Sequence, residues 1–165
     1  MSSENISTFE EMMNEVVNDG GLYDTIQTIY PDTKITDEKF TKIVSLLQEQ
    51  DFAIAAPQIV EKNIVYKQNK SDHQIKKVEH VFGMAMILNK RKFSNNFFDE
   101  NIFLYHEEID LCKRMINIGQ NILELNIQLN HLGNQSHGGY DFEMEKSRNW
   151  HWMWSKFYFY KKHHN

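Results

Sequence analysis

The densest chemistry in this sequence is the run Tyr105-His106-Glu107-Glu108-Ile109-Asp110-Leu111-Cys112-Lys113-Arg114. Three carboxylates there fall within one helical turn. Crowded carboxylates raise one another's pKa, and one so raised can act as a general base toward a hydroxyl. On a helix, Glu107, Asp110 and Arg114 share a face at i, i+3 and i+7 and predict one ion-pair network. Glu108 points about 100° away from them and is left unpaired within the helix. The same acids would also complement the positive end of a helix dipole, an account that needs no catalysis.

Two further clusters carry reactive types. Tyr30-Pro31-Asp32 places a carboxylate after a short apolar run, where Asp32 could meet a ligand at a strand's carboxyl end or simply support its turn. His131-Leu132-Gly133-Asn134-Gln135-Ser136-His137 is a His-containing loop that could approach a metal or a phosphate. No HxxxH or CxxC spacing supports zinc, and a hydrogen-bonded loop histidine explains His131 equally well.

These clusters need a scaffold, and 165 residues with 41% hydrophobic and 13% aromatic content suffice for one domain with a real core. Eighteen Lys and Arg against 23 Asp and Glu argue against a general nucleic-acid binder. A lone cysteine, Cys112, forbids an intrachain disulfide and suits a reducing compartment. No apolar run reaches about 18 residues, so no membrane span is expected. The start MSSENISTFEE lacks a basic n-region and an apolar h-region, so the expected location is cytoplasmic.

Periodicity predicts the elements that hold the clusters. Phe9, Met12, Met13, Val16 and Val17 predict a short helix within 1–19, closed by Gly20-Gly21, and a strand follows over 23–30. Thr36 can cap a helix over 37–50 with Phe40, Ile43, Val44 and Leu47 on one face. FAIAAPQIV (52–60) reads as a strand interrupted or ended by Pro57. Residues 61–77 read as a loop or hairpin, and 78–89 as a buried strand with Gly83 inside it. A turn at 94–101 precedes a helix over 107–118 closed by Gly119. Residues 121–129 alternate as a strand, and an aromatic helix runs over 147–163. The order is an α/β pattern.

Read together, Tyr30-Pro31-Asp32-Thr33, Gly83-Met84-Ala85-Met86-Ile87-Leu88, Phe98-Asp99-Glu100 through Tyr105-His106-Glu107-Glu108-Ile109-Asp110-Leu111-Cys112-Lys113-Arg114, Gly119, His131-Leu132-Gly133-Asn134-Gln135-Ser136, then Arg148 and Lys156, keep one order. Over about residues 30–162 that series resembles the inverting GT-A glycosyltransferases of family 2, in particular the rhamnosyltransferase-like members. The resemblance implies a partial GT-A fold, a mixed sheet flanked by helices, with 1–29 diverged and 30–165 an acceptor-side half-domain. The family's nucleotide-binding half has no counterpart; Glu4-Asn5-Ile6 resembles a segment inside it, so the chain is expected to begin in mid-domain.

By the same resemblance, Glu107-Glu108 fall at the acidic pair, Glu108 at the base position, with Asp110 the next candidate. Asp32, Gly83, His131 and Ser136 fall on the donor-diphosphate side, and Asp32 and His131 at the site of a divalent cation, Mn²⁺ or Mg²⁺. The implied partners are a nucleotide-sugar donor and a glycan or lipid-linked acceptor. Glu108 departs from the family's usual Asp by one methylene, and Tyr30 stands where Asn is usual. Two functions follow: a glycosyltransferase that takes its missing half from a partner chain or is a fragment of a longer enzyme, or a non-catalytic folded relative that associates through an exposed sheet edge. The C-terminal aromatics and lysines fit either a core-packed helix or a peripheral contact at the inner face of a membrane.

Asp32, Glu108 and His131 are expected to converge on one cleft. Two protein ligands fall short of the about six that such cations take, the rest coming from water and diphosphate. Titration calorimetry of the isolated chain should therefore show negligible Mn²⁺ binding without nucleotide.

Overall fold

Thr36 ends one element and starts the next. In the computed structural model, which describes residues 6–8, 33–61, 64–66, 73–93, 97–131 and 142–164, its extended backbone is followed directly by a helix. Its Oγ1 accepts the Lys39 amide at 3.4 Å, satisfying one of the first turn's unpaired donors. This helix, α1 (Asp37–Leu47), buries Phe40, Ile43 and Leu47 along the face that the apolar spacing predicts. It stops three residues short of the expected end.

Two long strands form the centre of the sheet, β3 (Ile54–Glu61) and β7 (Ile122–His131), and they pair in parallel. Each is flanked on its other side by two short antiparallel strands. β3 carries β6 (Ile87–Leu88) at its start and β4 (Ile64–Tyr66) at its end. β7 carries β5 (Ile75–Lys77) near its start and β2 (Thr33–Thr36) at its end, and β1 (Ile6–Thr8) adds to β2. The result is a mixed seven-stranded sheet among the described residues. Helix α2 (Glu107–Asn117) precedes β7, and α3 (Phe142–His163) follows it.

β3 alternates between two cores, which is why it reads as a near-continuous apolar run. Ala55 and Ile59 join Phe40, Ile43 and Leu47 of α1 on one face. Ile54 and Ala56 join Leu111, Cys112 and Met115 of α2 on the other. β7 sends Leu123, Leu125, Ile127 and Leu129 into the α1 core.

Several expectations are corrected. β3 runs straight through Pro57, which neither interrupts nor ends it. β6 pairs only with Ile54 and Ala55, and β4 starts pairing at Ile59, so 56–58 has no partner on that edge. The missing proline amide proton is accommodated there. Opposite, the register with β7 slips between Pro57 and Gln58, leaving Asn126 and Ile127 as a two-residue excess. An even slip preserves the two-residue side-chain period, so Ile127 and Leu129 still face the α1 core.

The expected strand 78–89 is mostly not a strand: Gly83–Ala85 is a 3-10 turn and only Ile87–Leu88 pairs. Its apolar residues Val81 and Met86 are buried in the α2 core without a ladder. A short apolar run signals burial before it signals strand. Residues 61–77 contain the hairpin strand β4 and also β5. Within the expected helix 1–19, Ile6–Thr8 is a strand, because its backbone pairs with β2. The rest of that helix and the expected strand 23–30 lie outside the described residues. α3 starts five residues before the expected Ser147. Among the described residues, no helix is long and apolar enough to cross a membrane.

Gly119 closes α2 as its position predicts. Its φ is +80°, its amide reaches Ile116 O at 2.8 Å, and the Gln120 amide reaches Met115 O at 3.0 Å. This paired return is a Schellman motif, and it turns the chain into β7 within four residues. A Cβ at Gly119 would meet nothing within 4 Å, so only the backbone resists substitution. Gly119→Ala and Gly119→Ser should therefore lose the same amount, about 1–2 kcal/mol. Differential scanning calorimetry should record a Tm drop of about 2–8 °C for both, and a smaller one for Gly119→Asn.

Candidate active site

Two consecutive residues in left-handed conformation lead into α2. Tyr105 has φ 67° and His106 φ 66°, in a region that side chains other than glycine's enter at a cost of about 1–2 kcal/mol each. Such strain persists only where the surroundings hold it. Here α3 supplies the hold. Ser155 Oγ donates to Leu104 O at 2.7 Å, and Trp154 Nε1 to Asn101 O at 3.2 Å. The His106 ring stacks on Phe159 with centroids 5.7 Å apart.

Asp99 fixes the upstream end of the same loop. Its Oδ1 accepts from Asn101 N at 2.9 Å and Nδ2 at 2.8 Å, and its Oδ2 from Tyr158 Oη at 3.1 Å and Lys162 Nζ at 2.7 Å. Burial alone would raise its pKa, but the hydrogen bonds from Lys162 and Asn101 prevail and hold it far below the carboxylate range.

Asp110 is fully buried. Its Oδ2 accepts from Arg114 Nε at 2.7 Å, while Oδ1 takes Lys162 Nζ at 2.8 Å and His163 Nε2 at 2.7 Å. Burial works to raise this pKa too; hydrogen bonds from Lys162, His163 and Arg114 outweigh it and lower it. The carboxylate is thus ionised and occupied, which suits it to positioning α2 rather than to accepting a proton.

The expected network of Glu107, Asp110 and Arg114 forms only in its second half. Arg114 turns its outer nitrogen to the Phe97 carbonyl, and α3 fills the remaining sites on Asp110. Glu107 Oε2 is left buried with no hydrogen-bond partner among the described residues, and so is His106 Nδ1 beside it in sequence. Burial raises the Glu107 pKa. Burial and then the Lys156 charge lower that of His106, favouring the neutral ring.

Glu108 is the most perturbed acid of the pair. Burial, reinforced by the Glu107 charge, pushes its pKa up to about 7. It packs against Gly83: a Cβ built there would lie 3.6 to 3.8 Å from Glu108 Cβ, Cγ and Cδ. One turn further along, the buried Cys112 thiol is pushed up to about 12 by burial and by the Glu108 charge, so it stays protonated.

His131 lies at the carboxyl end of the parallel pair. Residues Val60 and Asn130 are in register, so Glu61 and His131 end neighbouring strands. Its Nδ1 is 3.8 Å from Glu61 Oε2, beyond hydrogen-bond length, and has no closer partner among the described residues. Thr33 pairs with His131 across β2 and β7; Asp32 and Ser136 lie outside the described residues. The structure therefore sets Glu108 against Gly83 and places Glu61 beside His131. Gln58 Oε1 is a further buried atom with no partner among the described residues. It sits on the strand face of Ile54 and Ala56, which α2 covers.

Sequence reasoning missed Asp99, Ser155, Lys162, His163 and the left-handed pair. Only the lysine-rich end of α3 offered a signal, and it gave no hint of a buried partner. Among the described residues, no group of three or more His, Cys, Asp or Glu is placed to hold a metal ion.

No protein-family model and no solved structure matches the chain. Over 122 aligned residues it is 25% identical to the low-salt glycan biosynthesis hexosyltransferase Agl10 of Haloferax volcanii, covering 59% of this chain and 39% of that protein. The chain spans about two fifths of that relative's length. The similarity supports a glycosyltransferase-like relationship.

Two stability experiments check the electrostatics. Asp110→Asn leaves Lys162, His163 and Arg114 without their carboxylate and should cost about 3–5 kcal/mol at pH 7. The folded pKa of Asp110 is lowered, so its contribution is present above the unfolded value and fades as pH falls through the folded one. The calorimetric Tm values of wild type and variant should converge under strong acid. Glu108 has the opposite sign, its folded pKa standing above the unfolded one. Its stability contribution is complete below about 4.5 and is lost as pH rises through about 7. Glu108→Gln should match wild type near pH 4.5 and melt higher than wild type at pH 8.

Proposed function

We propose that this chain carries the base-bearing half of an inverting GT-A glycosyltransferase of family 2 type, acting in glycan synthesis. The observation that carries the reading is Glu108, a carboxylate at the start of a helix whose pKa is raised to about 7. A base tuned there accepts a proton near neutrality without being tied up as an ion pair. The partial similarity to a hexosyltransferase supports the same class.

In the proposed reaction an acceptor hydroxyl approaches Glu108. Its oxygen forms a bond to the donor sugar's anomeric carbon while the bond to the diphosphate oxygen breaks on the opposite side. Glu108 takes the hydroxyl proton, and one displacement inverts the anomeric centre. Burial and then the Glu107 charge keep Glu108 raised, and Gly83 packs against its side chain. Asp110 and Asp99 hold the helix start through α3.

His131 and Asp32 are proposed as holders of a divalent cation, which when bound would offset charge on the departing diphosphate. The unpartnered His131 Nδ1 and the neighbouring Glu61 carboxylate fit one imidazole and one oxygen ligand. The proposed partners are a nucleotide-sugar and a glycan or lipid-linked acceptor, with donor recognition supplied largely from outside these residues. A cytoplasmic location is part of the same proposal.

Transfer assays across a panel of nucleotide-sugars, with the donor-binding half supplied, test the reading. Turnover should rise with pH through an apparent pKa near 7, and product NMR should show inversion. Glu108→Gln should lower kcat by about 10²–10⁴-fold while leaving donor affinity nearly unchanged. Near-normal turnover in that variant would remove Glu108 as the base. Absence of transfer from every donor would favour the non-catalytic relative.

A further inference from the structure

We propose that α3 docks this protein onto an anionic phospholipid membrane through the face turned away from the 99–110 segment. The inference is independent of the proposed activity. One side of α3 is already committed: Ser155, Tyr158, Lys162 and His163 bond to the 99–104 loop and Asp110, and Phe159 is buried beneath His106. At about 100° per residue, Trp150, Met153, Phe157 and Tyr160 recur at steps of three, four and three and line up on the opposite side. They are 56%, 55%, 59% and 51% exposed. Single exposed apolar residues are ordinary, but four in one stripe about 15 Å long mark an interaction surface.

Charge selects the occupant. From Lys146 to the end, the chain holds five Lys and Arg and no Asp or Glu, although the whole carries a net charge of −5. Lys162 is engaged by Asp99 and Asp110, and Lys146 bonds Glu143 at 3.1 Å. Arg148, Lys156 and Lys161 are exposed, with Lys156 Nζ held 4.6 Å above the Trp152 ring. A second copy packed on this stripe would bring these cations together against only Glu143 and Glu145 at the start of α3, and Glu143 already bonds Lys146. Lys156 and Lys161 flank the stripe on its two sides, and a layer of anionic headgroups answers both. It also receives Trp, Tyr and Phe at the depth such rings prefer. Because no described helix is long and apolar enough to cross a membrane, α3 would lie in the plane of the interface. The helix start bearing Glu108 is tied to the inner side of α3 through Asp110, so docking would hold that site at a fixed height above the lipid.

Flotation of the full chain tests this, using vesicles of phosphatidylcholine alone and vesicles of equal parts phosphatidylcholine and phosphatidylglycerol. The chain should bind only the second, with a blue shift in tryptophan emission, and should release at about 1 M salt. Replacing Lys156 and Lys161 together by Gln should weaken binding by about 25-fold, roughly fivefold per cation. Trp150→Ser with Phe157→Ser should also abolish flotation while the melting temperature stays near wild type, since both side chains are exposed. Failure to bind anionic vesicles, equal binding to neutral ones, or unchanged binding by both variants would overturn the proposal. A dimer in sedimentation equilibrium that both variants dissociate would assign the stripe to a second copy instead.

Discussion

The buried carboxylate of Asp110 is the constraint on which the site depends. An ionised acid with no solvent contact is costly unless its lone pairs are filled, and here Arg114, Lys162 and His163 fill them from two helices. Because two of the three partners come from α3, the start of α2 cannot move without that helix. Asp99 repeats the arrangement at the other end of the loop through Lys162 and Tyr158. Lys162 thus bridges two carboxylates and clamps residues 99–110 as one unit.

That clamp permits the strain and the unsatisfied groups beside it. Tyr105 and His106 would relax from left-handed backbone in a free loop. Held by Ser155 and by the stack on Phe159, they aim α2 so that Glu107 and Glu108 are both half-buried, with no ion pair to either among the described residues. The two acids four residues or fewer from Arg114's partner thereby diverge in chemistry from Asp110. All three feel burial, but in Asp110 the hydrogen bonds from Lys162, His163 and Arg114 outweigh it and lower the pKa, whereas in Glu107 and Glu108 burial prevails, reinforced in Glu108 by the Glu107 charge. Neighbouring titratable groups pushed in opposite directions are a recurring signature of sites built for proton transfer.

α3 accounts for much of the aromatic content, and it uses its rings in two ways. Phe159 and Tyr158 consolidate the clamp, whereas Trp150, Phe157 and Tyr160 face outward. A helix with apolar residues on both sides shows little amphipathic periodicity. For that reason the sequence supports a packed helix and a surface-binding helix equally; the structure shows the packed face, and the outward face is the one proposed to meet a membrane.

The sequence by itself determined the elements whose signals are local. Thr36 as a cap, the 37–47 face of Phe40, Ile43 and Leu47, and Gly119 as the stop of α2 each depend on a few adjacent residues, and each stands where its spacing places it. The crowding of Glu107 and Glu108 was legible for the same reason, since neighbours in sequence remain neighbours in space. Whatever depended on distant segments was decided by tertiary structure alone. Pro57 lies inside a central strand because β6 stops before it and β4 starts after it, and Ile6–Thr8 is a strand because β2 offers an edge. Arg114 and Asp110 pair as their spacing predicts, yet Glu107 stays outside the network, because Arg114 turns its outer nitrogen to the Phe97 carbonyl and Lys162 and His163, some fifty residues later in the chain, bond to Asp110. Local spacing fixes which groups can meet; burial and long-range partners fix which are charged, and only the folded chain supplies those.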